Sequence, residues 1–151
     1  MSDPVSSGEK EQQTHEETSE WLCFKVAHET YTHEVLFVDE VLRYAEPTPV
    51  PGSPQFILGI LNIRGNVVSV YSGRALLGLE EKAPNDDSRI VIFRMNDENF
   101  GVAVDSVVEI AYFNKEMVED SMAQHQSHTF MKGTINHQDK LLIVVDFSLI
   151  E

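Results

Sequence analysis

Short apolar runs alternating with polar residues dominate the chain from Glu20 onward. Leu22, Phe24 and Val26 alternate with Trp21, Cys23 and Lys25, the period that sends successive side chains to opposite faces of a strand. His28-Glu29-Thr30 is a polar break. Residues 31–44 are mostly β-branched or aromatic with acids between, which predicts more strand with a short turn. Pro47, Pro49, Pro51 and Pro54, with Gly52, fix an extended loop, because proline cannot donate to a sheet ladder. Residues 56–71 are again apolar and β-rich, divided at Arg64-Gly65-Asn66, a hairpin signal. Residues 74–79 suit a short helix, and residues 80–88 form a polar linker. Strands follow over 90–95, 100–104, 107–113, 130–136 and 141–145, with turns at 96–99 and 137–139, while the polar stretch 114–129 gives no clear element. Many short strands joined by tight turns predict an all-β barrel or sandwich.

The chain also matches itself. Phe24-Lys25-Val26 aligns with Phe93-Arg94-Met95, and the same offset carries Tyr31 onto Phe100, Val38 onto Val107, Glu40 onto Glu109 and Val41 onto Ile110. Phe56-x-x-Gly59-x-x-Asn62 aligns with Phe130-x-x-Gly133-x-x-Asn136, and Val67-Val68 and Val70 then fall on Leu141-Leu142 and Val144. The expectation is two similar small β-lobes, roughly 20–80 and 88–151, with strands free to cross between them. About sixty residues make a marginal core alone, so each lobe gains by packing on the other. The competing reading is that short hairpins look alike by chance.

Composition narrows the function. The chain has 151 residues, 42% apolar, and a net charge of −14. That field repels nucleic acid and anionic membranes and favours basic partners. Residues 1–19 are polar and acidic, with too little apolar surface to offset ordering, and are expected to be a disordered tail before a folded domain over 20–151. The N-terminus lacks the basic and apolar regions of a secretory signal, and no run approaches the ~20 apolar residues that span a bilayer. The single cysteine, Cys23, forbids an internal disulfide and suits a reducing cytoplasm.

Taken together, these segments resemble the CheW-type chemotaxis coupling proteins over residues 21–150. The most specific piece is Phe56-Ile-Leu-Gly-Ile-Leu-Asn-Ile-Arg-Gly65, followed by Val67-Val68-Ser69-Val70 and Arg74-Ala-Leu-Leu-Gly78. Supporting pieces are Val38-Asp-Glu-Val41, Gly101-Val-Ala-Val-Asp105-Ser-Val-Val-Glu-Ile110, and Gly133 through the strand ending at Asp146. The resemblance implies two packed five-stranded SH3-like barrels and no enzymatic activity or cofactor. It implies an adaptor that bridges the helical tip of a methyl-accepting chemoreceptor and the regulatory domain of a CheA-type histidine kinase. The chain departs from the family pattern at Ser69, where Pro is usual, at Ser72-Gly73, where Asp-Leu is usual, and at Thr32, where Gly is frequent. These departures fit equally a specialised paralogue that binds one partner class or serves a non-motility array.

On that resemblance, Val38 and Val107 help line a groove between the lobes that receives the receptor's helical hairpin, with Ile110 nearby and Glu40 and Glu109 as its polar rim. Read without it, the apolar residues are ordinary core and the acids ordinary strand-edge solubility. Arg64 is a partner contact or structural anchor on the likeness to the family's Asn-Leu-Arg-Gly turn, and a solvated turn residue otherwise. Gly65 serves the turn, and Gly59, Gly101 and Gly133 are expected to permit bends at barrel corners. His125, His128 and His137, with Asp139, leave open a metal-dependent enzyme or metal sensor, although no H-E-x-x-H pattern is present. No nucleophile elbow or phosphate-cradling glycine loop appears, and Asp105 and Asp146 read as strand-end caps rather than a catalytic pair.

Overall fold

The computed structural model describes residues 18–120 and 130–150. Ten strands run in chain order: β1 (Thr18–Val26), β2 (Glu29–Glu34), β3 (Val38–Arg43), β4 (Ile57–Ile63), β5 (Asn66–Ser72), β6 (Arg89–Met95), β7 (Glu98–Val104), β8 (Ser106–Asn114), β9 (Met131–His137) and β10 (Lys140–Val145). A single helical turn, α1 (Gly73–Leu76), follows β5, and 3₁₀ turns occupy Val35–Phe37, Lys115–Met117 and Phe147–Leu149. Three hairpins turn on two residues that both have positive φ: Arg64 and Gly65, Asn96 and Asp97, Gln138 and Asp139. That backbone matches the right-handed twist of the flanking strands. The β1–β2 turn falls at Ala27-His28, so Glu29 and Thr30 already belong to β2 rather than to a break. At the N-terminus, Thr18 and Ser19 belong to β1 rather than to the tail, and Ser19 accepts a hydrogen bond from the Trp21 indole at 2.9 Å. The expected disorder of the preceding residues lies outside the described residues.

The strands form two five-stranded sheets, β8-β1-β2-β10-β9 and β3-β6-β7-β5-β4. Each sheet closes on itself through an isolated bridge. Thr48, beyond β3, pairs with Ile60 of β4, and Glu119, beyond β8, pairs with Thr134 of β9. The internal repeat reappears as matching positions in the two barrels, β1 with β6, β2 with β7, β3 with β8, β4 with β9 and β5 with β10. The barrels are not the contiguous halves 20–80 and 88–151. Each takes two strands from one half and three from the other, because the chain crosses between barrels after β2 and again after β7.

This exchange explains why β1 is apolar on both faces. Trp21 and Cys23 point into the first barrel with Ala111, Phe113, Ile135, Leu142 and Val144. Leu22, Phe24 and Val26 point the other way, into a larger core shared with Val91, Phe93 and Val102 of the second barrel. The second barrel's own interior is smaller: Val68, Val70, Ile90 and Ile92. Full burial of one such side chain contributes about 1.5–3 kcal/mol, so the shared core couples the barrels strongly. Phe147 is completely buried there, stacked on His33, edge-on to Phe93 and tilted against Phe24 and Phe130.

Gly59 and Gly133 occupy matching places where the barrels close. A Cβ on Gly59 would collide with the Thr48 carbonyl, and one on Gly133 with the Glu119 carbonyl. Gly101 differs from the expected bend: a Cβ there would meet the side chains of Ile90 (2.9 Å) and Ile92 (3.2 Å), so it makes room for core packing. Ser72 caps α1: its hydroxyl accepts from Ala75 N at 3.1 Å, as the Asp146 carboxylate accepts from Ser148 N at 2.9 Å.

Candidate partner-docking site

The anticipated contact residues fall into two sets at the outer strands of the two sheets. Val38, Glu40 and Arg64 belong to the second barrel, and Val107, Glu109 and Ile110 to the first. Val38 lies beside Phe93 and Val107 beside Phe24, so both half-buried valines flank the shared core from matching positions. Val41 and Ile110, also repeat partners, are exposed rather than core. Glu109 is exposed on β8.

Arg64 stands in the β4–β5 turn with φ 52° and donates to Glu40 Oε1 at 3.1 Å. The Arg64 side chain is 78% exposed and that of Glu40 only 18%. Such a pair contributes little to stability in water. Its effect is to hold the guanidinium at a defined place beside Glu40 of β3.

Three exposed residues add to these. On β8, Val108, Ile110 and Tyr112 alternate outward while Ala111 and Phe113 point inward. Ile110 and Tyr112 are 47% and 64% exposed, and the Tyr112 hydroxyl reaches Glu20 Oε2 at 3.3 Å. Leu36, in the 3₁₀ turn between the barrels, is 81% exposed, while its neighbours Val35 and Phe37 pack on the shared core. Sequence reasoning missed Leu36, Val108 and Tyr112. The alternation in β8 was visible, but which side faced water depended on the exchange of strands.

Burial has its effect at two interior groups. It pushes the Cys23 thiol above its ordinary pKa, despite a contact with the Thr32 hydroxyl at 3.6 Å, which makes it a packing group rather than a nucleophile. It holds the His33 imidazole below its usual value. Phe147 N–H donates to His33 Nε2 at 3.1 Å, so Nδ1 carries the proton and donates to the Glu34 carbonyl at 3.1 Å. Among the described residues no three His, Cys, Asp or Glu side chains converge to hold a metal ion. His125 and His128 lie outside the described residues; the His137 ring packs near Phe113. No helix among the described residues is long and apolar enough to cross a membrane.

Two closed SH3-like barrels, joined through a common core and bearing exposed apolar and charged side chains along their outer strands, define a protein-binding scaffold. The profile of the CheW-like domain matches residues 20–150, and the chain belongs to that family. It is 29% identical over 144 residues to chemotaxis protein CheW of Helicobacter pylori, covering 93% of this chain and 86% of that one. It is 27% identical to chemotaxis protein CheW of Bacillus subtilis, covering 83% and 81%. The crystal structure of the scaffolding protein TtCheW from Thermoanaerobacter tengcongensis superposes with a TM-score of 0.78 at 27% identity, covering 85% of this chain and 84% of that one. As in this family of scaffolds, the chain's role is that of a chemotaxis adaptor, not an enzyme.

Proposed function

We propose that this adaptor works in the cytoplasm, coupling the helical tip of a chemoreceptor to the regulatory domain of a CheA-type histidine kinase. In this reading the receptor's helical hairpin lies along the seam between the barrels. Val38, Val107 and Ile110 supply apolar anchors, and Glu40 and Glu109 supply the polar rim. Arg64, tethered by Glu40, offers a directed charge to an acidic group on one partner.

The observation that carries this reading is that Val38 and Val107 pack against the shared core from matching positions, with exposed Leu36 shortly before Val38 and exposed Ile110 further along β8. An apolar strip at a two-barrel seam suits an amphipathic helix better than it suits solvent. The net charge of −14 adds a preference for partners with basic flanks. Calorimetric titration of the chain against a receptor tip fragment and, separately, the kinase regulatory domain tests it. Binding of both with dissociation constants of about tens of micromolar or tighter is expected. Binding of one alone would favour the specialised paralogue, and binding of neither would end the proposal.

A further inference from the structure

The two barrels are linked covalently at only two crossovers. After β2 the chain crosses through the 3₁₀ turn Val35–Phe37, whose Val35 and Phe37 are packed into the shared core. After β7 it crosses through one residue, Asp105, before β8 begins. Val104 and Val107, on either side of Asp105, pack in and against the shared core, while the Asp105 side chain itself stays partly exposed. A cavity of about 670 Å³ opens there, lined by Lys25 and Ala27 of the first barrel and by Tyr44, Ser72 and Arg74 of the second.

Asp105 bridges that opening. Its backbone N–H donates to the Lys25 carbonyl at 3.0 Å. Its Oδ2 accepts from Ala27 N at 2.8 Å, in the β1–β2 turn. The same carboxylate accepts from Arg74 Nε at 3.1 Å and Nη2 at 2.6 Å, a two-pronged ion pair. Arg74 is itself fixed. Its Nη1 donates to the Glu80 carbonyl at 3.0 Å, and α1 sits so close to β7 that a Cβ on Gly73 would strike the Ala103 carbonyl. On the other side, Ala27 holds φ 57°, a conformation unfavourable for alanine, and its amide is the one the carboxylate takes. Burial alone would raise the Asp105 pKa, but the hydrogen bonds from Arg74 and Ala27 outweigh it and hold the carboxyl below its ordinary value.

We infer that Asp105 and Arg74 form a pin that sets the angle between the two barrels, and with it the opening of the seam. The pin has no counterpart at the other crossover. By the internal repeat, Leu36 stands where Asp105 does, Asn96 where Ala27 does and Ser148 where Arg74 does. Both crossovers are therefore flanked by apolar packing, and the second adds the Asp105–Arg74 charge pair. The pair acts through the backbone elements that it ties and touches no partner, so it is a positioning device.

The test uses the whole chain and needs no partner, so its outcome is separate from that of the proposed function. Val67 and Leu141 are exposed, sit on different barrels and are repeat equivalents. Spin labels on the Val67→Cys, Leu141→Cys double variant, with buried Cys23 left in place, report the distance between barrels by pulsed electron resonance. With the pin intact, one narrow distance distribution is expected. Arg74→Ala and Asp105→Asn should each shift or broaden it while circular dichroism stays native, with Asp105→Asn the milder because its amide oxygen can still accept from Ala27. Ile135→Val, which thins the interior of the first barrel, should lower the unfolding midpoint and leave the distribution unchanged. An unchanged distribution in both pin variants overturns the inference. So does equal broadening in Ile135→Val, or loss of the folded state in Arg74→Ala, since the pair would then support the fold rather than the angle.

Discussion

The strands β3 and β8 hold matching places in the two barrels and present different surfaces. Outward on β8 stand Val108, Ile110 and Tyr112, an apolar strip. The matching residues of β3 are Asp39, Val41 and Arg43, with Asp39 paired to Arg94 at 3.7 Å and Glu40 to Arg64 at 3.1 Å. Inward, the two strands agree: Leu42 packs on the second barrel's interior as Ala111 lies within the first. The fold dictates what faces inward at a repeated position. The outward side is free to differ, and here it gives the first barrel a greasy outer strand and the second a charged one.

The most damaging change strikes the core on which both strands rest. Phe147→Ala should cost about 3–5 kcal/mol by urea unfolding, because a completely buried ring in contact with both barrels leaves a cavity. Retention of near-native stability would show that the barrels do not share one core. Next in size are the two closure points. Gly59→Ala and Gly133→Ala should each destabilise by about 1–3 kcal/mol, since the added methyl meets backbone that cannot yield like a side chain. A large effect from one and none from the other would break the equivalence of the barrels.

The third test is pH. The folded chain holds His33 neutral, so below about pH 6.5 the unfolded chain binds a proton that the folded chain refuses. Stability should therefore fall as pH drops from about 6.5 towards the lowered folded pKa, by at most about 1.4 kcal/mol per pH unit from this group. Glu34 and Asp146 pull its pKa back upward and narrow the window. Asp105, whose folded pKa is lowered, keeps its contribution until pH falls below about 4, so the two effects separate. Urea midpoints at about pH 7.5, 6 and 5 should show a steeper loss in the parent chain than in His33→Gln; parallel profiles would exclude His33 as the source. The smallest stability effect belongs to the charged edge. Arg64→Ala should change unfolding free energy by less than about 1 kcal/mol while weakening one partner, which separates docking from folding in one variant.

Much of this architecture was readable in the chain. The alternation in β1, the tight turns at Arg64-Gly65 and Gln138-Asp139, and the Phe–Gly–Asn repeat located the strands and their equivalence. The route between barrels was not readable, because period and turn signals say which residues form a strand but not which sheet it joins. A single residue, Asp105, carries one crossing, too short to leave a loop signal. The same gap hid the outward strip on β8. Its apolar residues look like core until the partner strand is known, and Val41 and Ile110 are exposed for that reason. Arg64 was singled out by its turn, yet its tether to Glu40 spans a loop whose path the prolines obscure.

The proposed docking surface is the seam between the barrels. It is tested most directly by titrating a receptor tip fragment into isotopically labelled protein, small enough at 17.1 kDa for amide-resolved magnetic resonance. Amide shifts clustered at Val38, Glu40, Val107 and Ile110 are predicted, with the interiors of both barrels undisturbed. Saturable binding that moves other amides and leaves these four in place would contradict it.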